Sequence, residues 1–205
     1  MVNQTEYKEI EKVNPFLAIW LSPKKTVRYV LEHKDLKYSL VLAAIAGIPT
    51  SIGSGYNLGI SFWWMVIAAI VFGPILGIIG LGIGTVIYTW VGKWFGGVGS
   101  FKEMAQAMGV VVIPNIWLTP YWIISAVINY NQESMTTSSA IIWLLVTMLI
   151  MLPFGIWMLV IQSKAIGEVH QFSSWRGFAT LIIPSILFGI IIFIFVFILI
   201  FSILG

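Results

Sequence analysis

YSLVLAAIAGIPTSIGSGY, residues 38–56, is the stretch on which the fold turns. Its purely apolar run is short, and Pro49, Gly53 and Gly55 interrupt it. Hydropathy alone therefore leaves open whether it crosses a membrane or dips in and returns. The charges around it decide. All eleven Lys and Arg residues (8, 12, 24, 25, 28, 34, 37, 93, 102, 164 and 176) fall in the N-terminal region or in the second and fourth connections between apolar stretches. The first connection, 53–59, carries no charge, and the third, 130–138, has only Glu133. If 38–56 crosses, every basic residue lies on one face, as the bias of Lys and Arg toward cytoplasmic loops requires. If it returns, Lys93 and Lys102 land on the opposite face. The reading is five crossings, with the N-terminus cytoplasmic and the C-terminus outside.

Working outward, four further apolar stretches run at about 60–92, 105–129, 139–163 and 177–204. The chain is 59% hydrophobic and 9% charged, against about 25% charged residues in a soluble domain. No soluble core of 205 residues could hide that much apolar surface. In hydrocarbon each backbone polar group needs a partner within the protein, so the spans are helices unless they close a barrel. The alternation of apolar and polar residues that marks a barrel strand is absent. The stretch 60–92 corresponds to about 50 Å of helix at 1.5 Å per residue. Two spans and a turn need roughly 40 residues, so it reads as one long helix, with Gly73-Pro74 the natural kink. The fold class is an all-α integral membrane protein, a five-helix bundle spanning 37–205.

Residues 1–36 are mixed and polar, without the compact apolar run of a cleavable signal peptide. Asn14-Pro15 and Ser22-Pro23 each put a capping side chain before a proline, which predicts two short helices. In the second, Val27, Val30 and Leu31 share a face, with Lys24, Lys25 and Arg28 mostly elsewhere, and Phe16, Leu17, Ile19, Trp20 and Leu21 precede it. An amphipathic pair lying in the cytoplasmic headgroup layer fits this pattern. The alternative is a helix packed on the protein's own cytoplasmic end.

Three cytoplasmic segments carry a family resemblance. They are Asn14-Pro15-Phe16-Leu17-Ala18-Ile19-Trp20 continuing through Ser22-Pro23-Lys24-Lys25-Thr26-Val27-Arg28; Gly96-Gly97-Val98-Gly99-Ser100-Phe101-Lys102-Glu103, followed by an apolar run to Ile113-Pro114; and Ile166-Gly167-Glu168-Val169-His170-Gln171-Phe172-Ser173, then Trp175-Arg176. In that order, with five spans, the chain resembles the Ypt/Rab-interacting (Yip) membrane proteins over nearly its whole length. The likeness is to compact prokaryotic members. The long polar N-terminal region and the Asp-Leu-Tyr-Gly-Pro motif of eukaryotic Yip proteins are missing, so a Rab-type GTPase is not an expected partner. The resemblance implies a fold and an integral, multi-pass location, most simply the prokaryotic cytoplasmic membrane.

The same segments invite catalytic readings that their chemistry does not support. Gly96 to Ser100 lacks the Gly-Lys-Ser/Thr of a phosphate loop. Ser100 and Glu103 instead have capping-box spacing, and a lipid phosphate near Ser100 and Lys102 is the functional alternative. Glu168 and His170 have no cysteine or evident serine nucleophile beside them. A zinc site wants more ligands, and His33 is the only other histidine. Trp175 and Arg176 suit the interfacial aromatic belt and the basic rim. No Asp or Glu lies inside a span, and Ser54 sits at the boundary opposite both histidines, so intramembrane hydrolysis has no constellation.

Ala69, Gly73, Gly77, Gly80 and Gly84 form one small-residue face on the second span. Such a face lets two backbones approach closely, and Ala43 and Gly47 of the first span are its expected partner. The third span carries Asn115, Thr119 and Asn129 with Pro114 and Pro120. A kinked helix completing the bundle explains these residues, and a lipid-sized groove beside Asn115 and Thr119 is the alternative. No cofactor, metal or nucleic acid is implied. The expectation is a non-enzymatic adaptor or organiser that binds membrane lipids and other membrane proteins, including copies of itself. Lipid handling, passive transport or service as an accessory subunit of an export system is the second reading.

Overall fold

The computed structural model describes residues 13–55, 60–131 and 135–204, the side chains of 202–204 excepted. Lys8 and Lys12, the last residue of the 38–56 stretch, most of the turn that follows it, and Glu133 lie outside the described residues. Among those described there are helices and no strands. The helices are α1 (Pro15–Leu21), α2 (Pro23–His33), α3 (Leu36–Gly55), α4 (Phe62–Trp94), α5 (Phe101–Val111), α6 (Ile113–Trp117), α7 (Thr119–Tyr130), α8 (Thr137–Val169) and α9 (Ser174–Leu204).

Four of them, α3, α4, α8 and α9, are each long and apolar enough to cross a membrane. The interrupted stretch at 38–56 is one of these, a 20-residue helix with Pro49 inside it and the lowest mean hydropathy of the four, 1.4. The 33 residues of α4 form one unbroken helix despite Pro74. A fifth candidate is the pair Phe101–Trp117 and Thr119–Tyr130, bent by 55°. It replaces the single kinked helix expected at 105–129. The break falls at Leu118, one residue before the position that Pro120 restricts. Two bonds close it: Leu118 N–H reaches the Asn115 carbonyl at 3.2 Å, and the Thr119 hydroxyl donates to the Ile116 carbonyl at 2.6 Å. Unmatched backbone at that depth costs several kcal/mol per group, roughly, so these bonds make the break tolerable.

The bent pair follows α3 from one end to the other. The Ser39 hydroxyl donates to the Gln106 carbonyl at 2.9 Å, and Gly109 lies against Ser39. Gly53, about 21 Å further along α3 at 1.5 Å per residue, lies against the Trp122 ring of α7.

Packing is lopsided. The main core joins α1 and α2 to the first half of α3, the second half of α4, all of α5 and the last turns of α8, with Val27, Val30, Met104, Val110, Ile161 and Ile166 fully buried. At the far end the buried cluster among the described residues is smaller: Ile52, Met65, Ala69 and Ala126, with Ile48, Phe62 and Val66 against it. There α8 and α9 run on with apolar side chains exposed, from Ile141 to Ile156 and from Ile186 to Phe201. That surface is suited to lipid, whose tails are as apolar as the side chains.

The helix starts show which local signals decide. Asn14 accepts from Phe16 N–H at 3.0 Å and caps α1. Ser22 does not cap α2 with its side chain, contrary to expectation. It also ends α1, its N–H held by the Ala18 carbonyl, and its φ of −134° and ψ of 59° are not those of an extended N-cap. The apolar face of α2 turns inward, with Thr26, Val27, Tyr29 and Val30 buried. Leu17 and Leu21 of α1 remain exposed.

Candidate functional site

The compact end is organised around His170, which closes α8 and is 1% exposed. Gly99 N–H donates to its Nδ1 at 3.1 Å. Nδ1 is therefore unprotonated, and Nε2–H donates to the Tyr88 carbonyl at 3.1 Å. Phe172 stacks on the ring at 5.2 Å. A Cβ on Gly92 or Gly97 would overlap the imidazole, and one on Gly99 would overlap Val169 beside it, so Gly92 and Gly97 make room for a ring. Burial holds the imidazole below its ordinary pKa and Lys93 pushes the same way, against the Tyr88 carbonyl and Glu103. A neutral histidine with both nitrogens engaged is a pin between two loops.

Glu168 faces away from it. Its Oε1 accepts from Arg28 Nε at 2.9 Å and from the terminal Arg28 nitrogen at 2.6 Å, tying α2 to α8. Glu168 and His170 thus serve separate contacts. His33 is elsewhere again, stacked on Tyr29 at 4.6 Å. The loop between α8 and α9 turns through Gln171 at φ 57°, and Phe172 N–H caps the Gly167 carbonyl at 3.0 Å. Ser100 and Glu103 form both halves of a capping box, at 2.8 and 3.2 Å. Arg176 donates to the Phe95 carbonyl at 3.4 Å. Lys24, Lys25 and Lys102 are exposed, as is Trp175, with apolar Leu17, Leu21, Val98 and Phe101. Among the described residues no group of His, Cys, Asp or Glu could hold a metal ion.

Inside the bundle, Gly73 and Gly77 lie against the backbone of Ala43, Gly47 and Ile48. Ala69 joins the far cluster. Gly80 and Gly84 meet nothing of α3. The small-residue face is therefore not one continuous contact. Beyond Gly77 the helices part, and a cavity of about 390 Å³ opens, lined by Thr50, Gly80, Gly84, Tyr88, Asn115 and Gln162 among others. Asn115 is held in place: it donates to the Thr50 hydroxyl at 2.7 Å and accepts from the Trp122 indole at 3.2 Å. Thr119 is not part of this cavity, because its hydroxyl serves the helix break.

A family model described as the Yip1 domain matches residues 17–202. The chain belongs to that family. Comparison with curated proteins and with solved structures finds no match. In this Yip1 domain the three segments quoted from the sequence meet at one end, where α2, the turn before α5 and the α8–α9 loop touch through Arg28–Glu168 and His170–Gly99. The match accords with an integral, multi-pass membrane protein. Two features of this Yip1 domain escaped sequence reasoning: the pairing of Arg28 with Glu168, and the histidine pocket. The density of glycine at 96–99, facing a lone histidine in another loop, was the only available signal.

Proposed function

We propose that this protein is a non-enzymatic membrane organiser, with its compact end in the cytoplasm, binding other membrane proteins and anionic lipid there. The observation that carries this is the use made of the polar groups at that end. Arg28, Glu168, His170, Ser100 and Glu103 are engaged with one another or with backbone, which supports a rigid platform rather than a reactive centre. Around it, basic Lys24 and Lys102 alternate with exposed Leu17, Leu21, Val98, Phe101 and Trp175. Such a rim suits the headgroup layer and the juxtamembrane parts of partners.

The five-crossing topology, with the N-terminus cytoplasmic and the C-terminus outside, is part of the proposal. The course of the bent pair along α3 supports it, as does the gathering of Lys93, Lys102, Lys164 and Arg176 at one end. The location proposed is a prokaryotic cytoplasmic membrane, and a Rab-type GTPase is not among the proposed partners. Affinity isolation of the full chain in mild detergent tests the reading. Defined membrane proteins, or a second copy of this chain, should be recovered with wild type and reduced with Lys24→Glu/Lys102→Glu. Recovery of neither from the native membrane would sink it.

The cavity beside Asn115 supports a second reading, lipid handling. A reconstituted scrambling assay separates the two: activity in wild type that is lost in Gly80→Leu, with folding intact, favours the cavity.

A further inference from the structure

A groove of about 300 Å³ lies between the last turns of α8 and the start of α9, lined by Ile156, Val160 and Phe178 and, at its upper edge, by Lys164 and Trp175. We propose that it seats one anionic phospholipid, with the phosphate on Lys164 and an acyl chain along Ile156, Val160 and Phe178. The proposal deepens the lipid half of the reading above and rests on its cytoplasmic assignment, since anionic lipid is concentrated in that leaflet.

Charge complementarity chooses the occupant. Lys164 is half-buried and has no carboxylate partner among the described residues. Glu168, one turn further on, is bound to Arg28 at 2.6 Å. A partly desolvated ammonium with no counter-ion among the described residues is costly, and the phosphate of an anionic lipid at this depth supplies one. The lining below it is apolar, so an ion alone would leave the groove empty where a chain fills it. From Lys164 to Ile156 the groove descends about 12 Å at 1.5 Å per residue, continuing from headgroup depth into hydrocarbon. Trp175 is 81% exposed and edge-on to Phe178 at 6.0 Å, the place of an interfacial aromatic. The groove is preformed, because Gly177 packs directly against the Ser163 carbonyl and fixes α8 against α9.

The test is native mass spectrometry of the full chain. It is reconstituted with equal phosphatidylglycerol and phosphatidylcholine, then taken through detergent exchange. Wild type should retain one phosphatidylglycerol in preference to phosphatidylcholine. Lys164→Ala should lower that retention about tenfold, the scale of one charged contact, and Lys164→Arg should keep it. Val160→Trp, filling the groove at an unchanged melting temperature, should also lose the lipid. Equal retention by wild type and Lys164→Ala, or indifference to headgroup charge, would overturn the proposal. Displacement of the lipid by millimolar inorganic phosphate would overturn it too, revealing an ion site only. Partner recovery is read separately on wild type and Lys164→Ala. Its failure in both, with the lipid retained by wild type and lost by Lys164→Ala, counts against the organiser reading and leaves the groove standing.

Discussion

His170 and Gly99 are joined by a 3.1 Å hydrogen bond in which the backbone N–H donates to the imidazole Nδ1. The bond fixes the ring as a neutral acceptor and locks the turn before α5 to the end of α8. The compact end therefore depends on a titratable group.

The pH dependence follows. Burial lowers the folded-state pKa of His170 below its unfolded value, which is about 6.5. Between those two values the unfolded chain binds more protons, so stability increases with pH there. The contribution is complete above about 6.5, falls as pH drops through that window, and levels off below the folded pKa. Protonation would also turn Nδ1 into a donor facing the Gly99 N–H. Thermal melts of purified protein from pH 7.5 to 5 should show this loss. His170→Asn should be less stable at pH 7.5 by about 1–3 kcal/mol, for an unsatisfied buried group, and should lose most of the dependence. An unchanged pH slope in that variant would refute the assignment.

Two glycines on one helix should respond in opposite ways. A side chain at Gly77 would overlap the Ala43 carbonyl, whereas Gly80 has open space around it. Gly77→Leu should cost about 1–3 kcal/mol through overpacking or prevent folding. Gly80→Leu should melt within about 0.5 kcal/mol of wild type, as substitutions away from packed features do. Equal losses would mean that the cavity between α3 and α4 is closed in the membrane.

Arg28 and Glu168 make a close contact with an exposed partner, side-chain exposures being 65% and 15%. Solvent screens such pairs, and double-mutant coupling should come out at about 0.2–1 kcal/mol, weakening as salt is added. A coupling of several kcal/mol, independent of salt, would show that the lipid or a partner buries the pair.

Gln171 holds the left-handed turn after α8, at φ 57°. A side chain there costs about 1–2 kcal/mol relative to glycine, which also suits the helix-ending position best. Gln171→Gly should raise the melting temperature, and a fall would show that the glutamine side chain holds something in place.

The helix inventory was readable from local signals because those signals act over a few residues. Asn14-Pro15 starts α1, Ser100 with Glu103 starts α5, and Pro120 ends what precedes it. Ser22 misled because one residue had to end one helix and begin the next. The uninterrupted length of α4 was equally local, a property of 33 mostly apolar residues in one run.

By itself the sequence determined that the chain lives in a membrane and which runs form helices, and the placement of Lys and Arg is the ground for the topology proposed. Hydropathy and charge are sums over residues, and summing needs no coordinates. Only the tertiary structure decided what the polar residues do. Glu168 lies two residues from His170 yet pairs with Arg28, 140 positions away, and His170 is held by glycines more than 70 positions off. The same holds for the glycine face of α4. Spacing puts Gly73, Gly77, Gly80 and Gly84 in one row, but where α3 leaves that row depends on how whole helices cross. Crossing is a balance of packing among distant segments, and no local pattern encodes it.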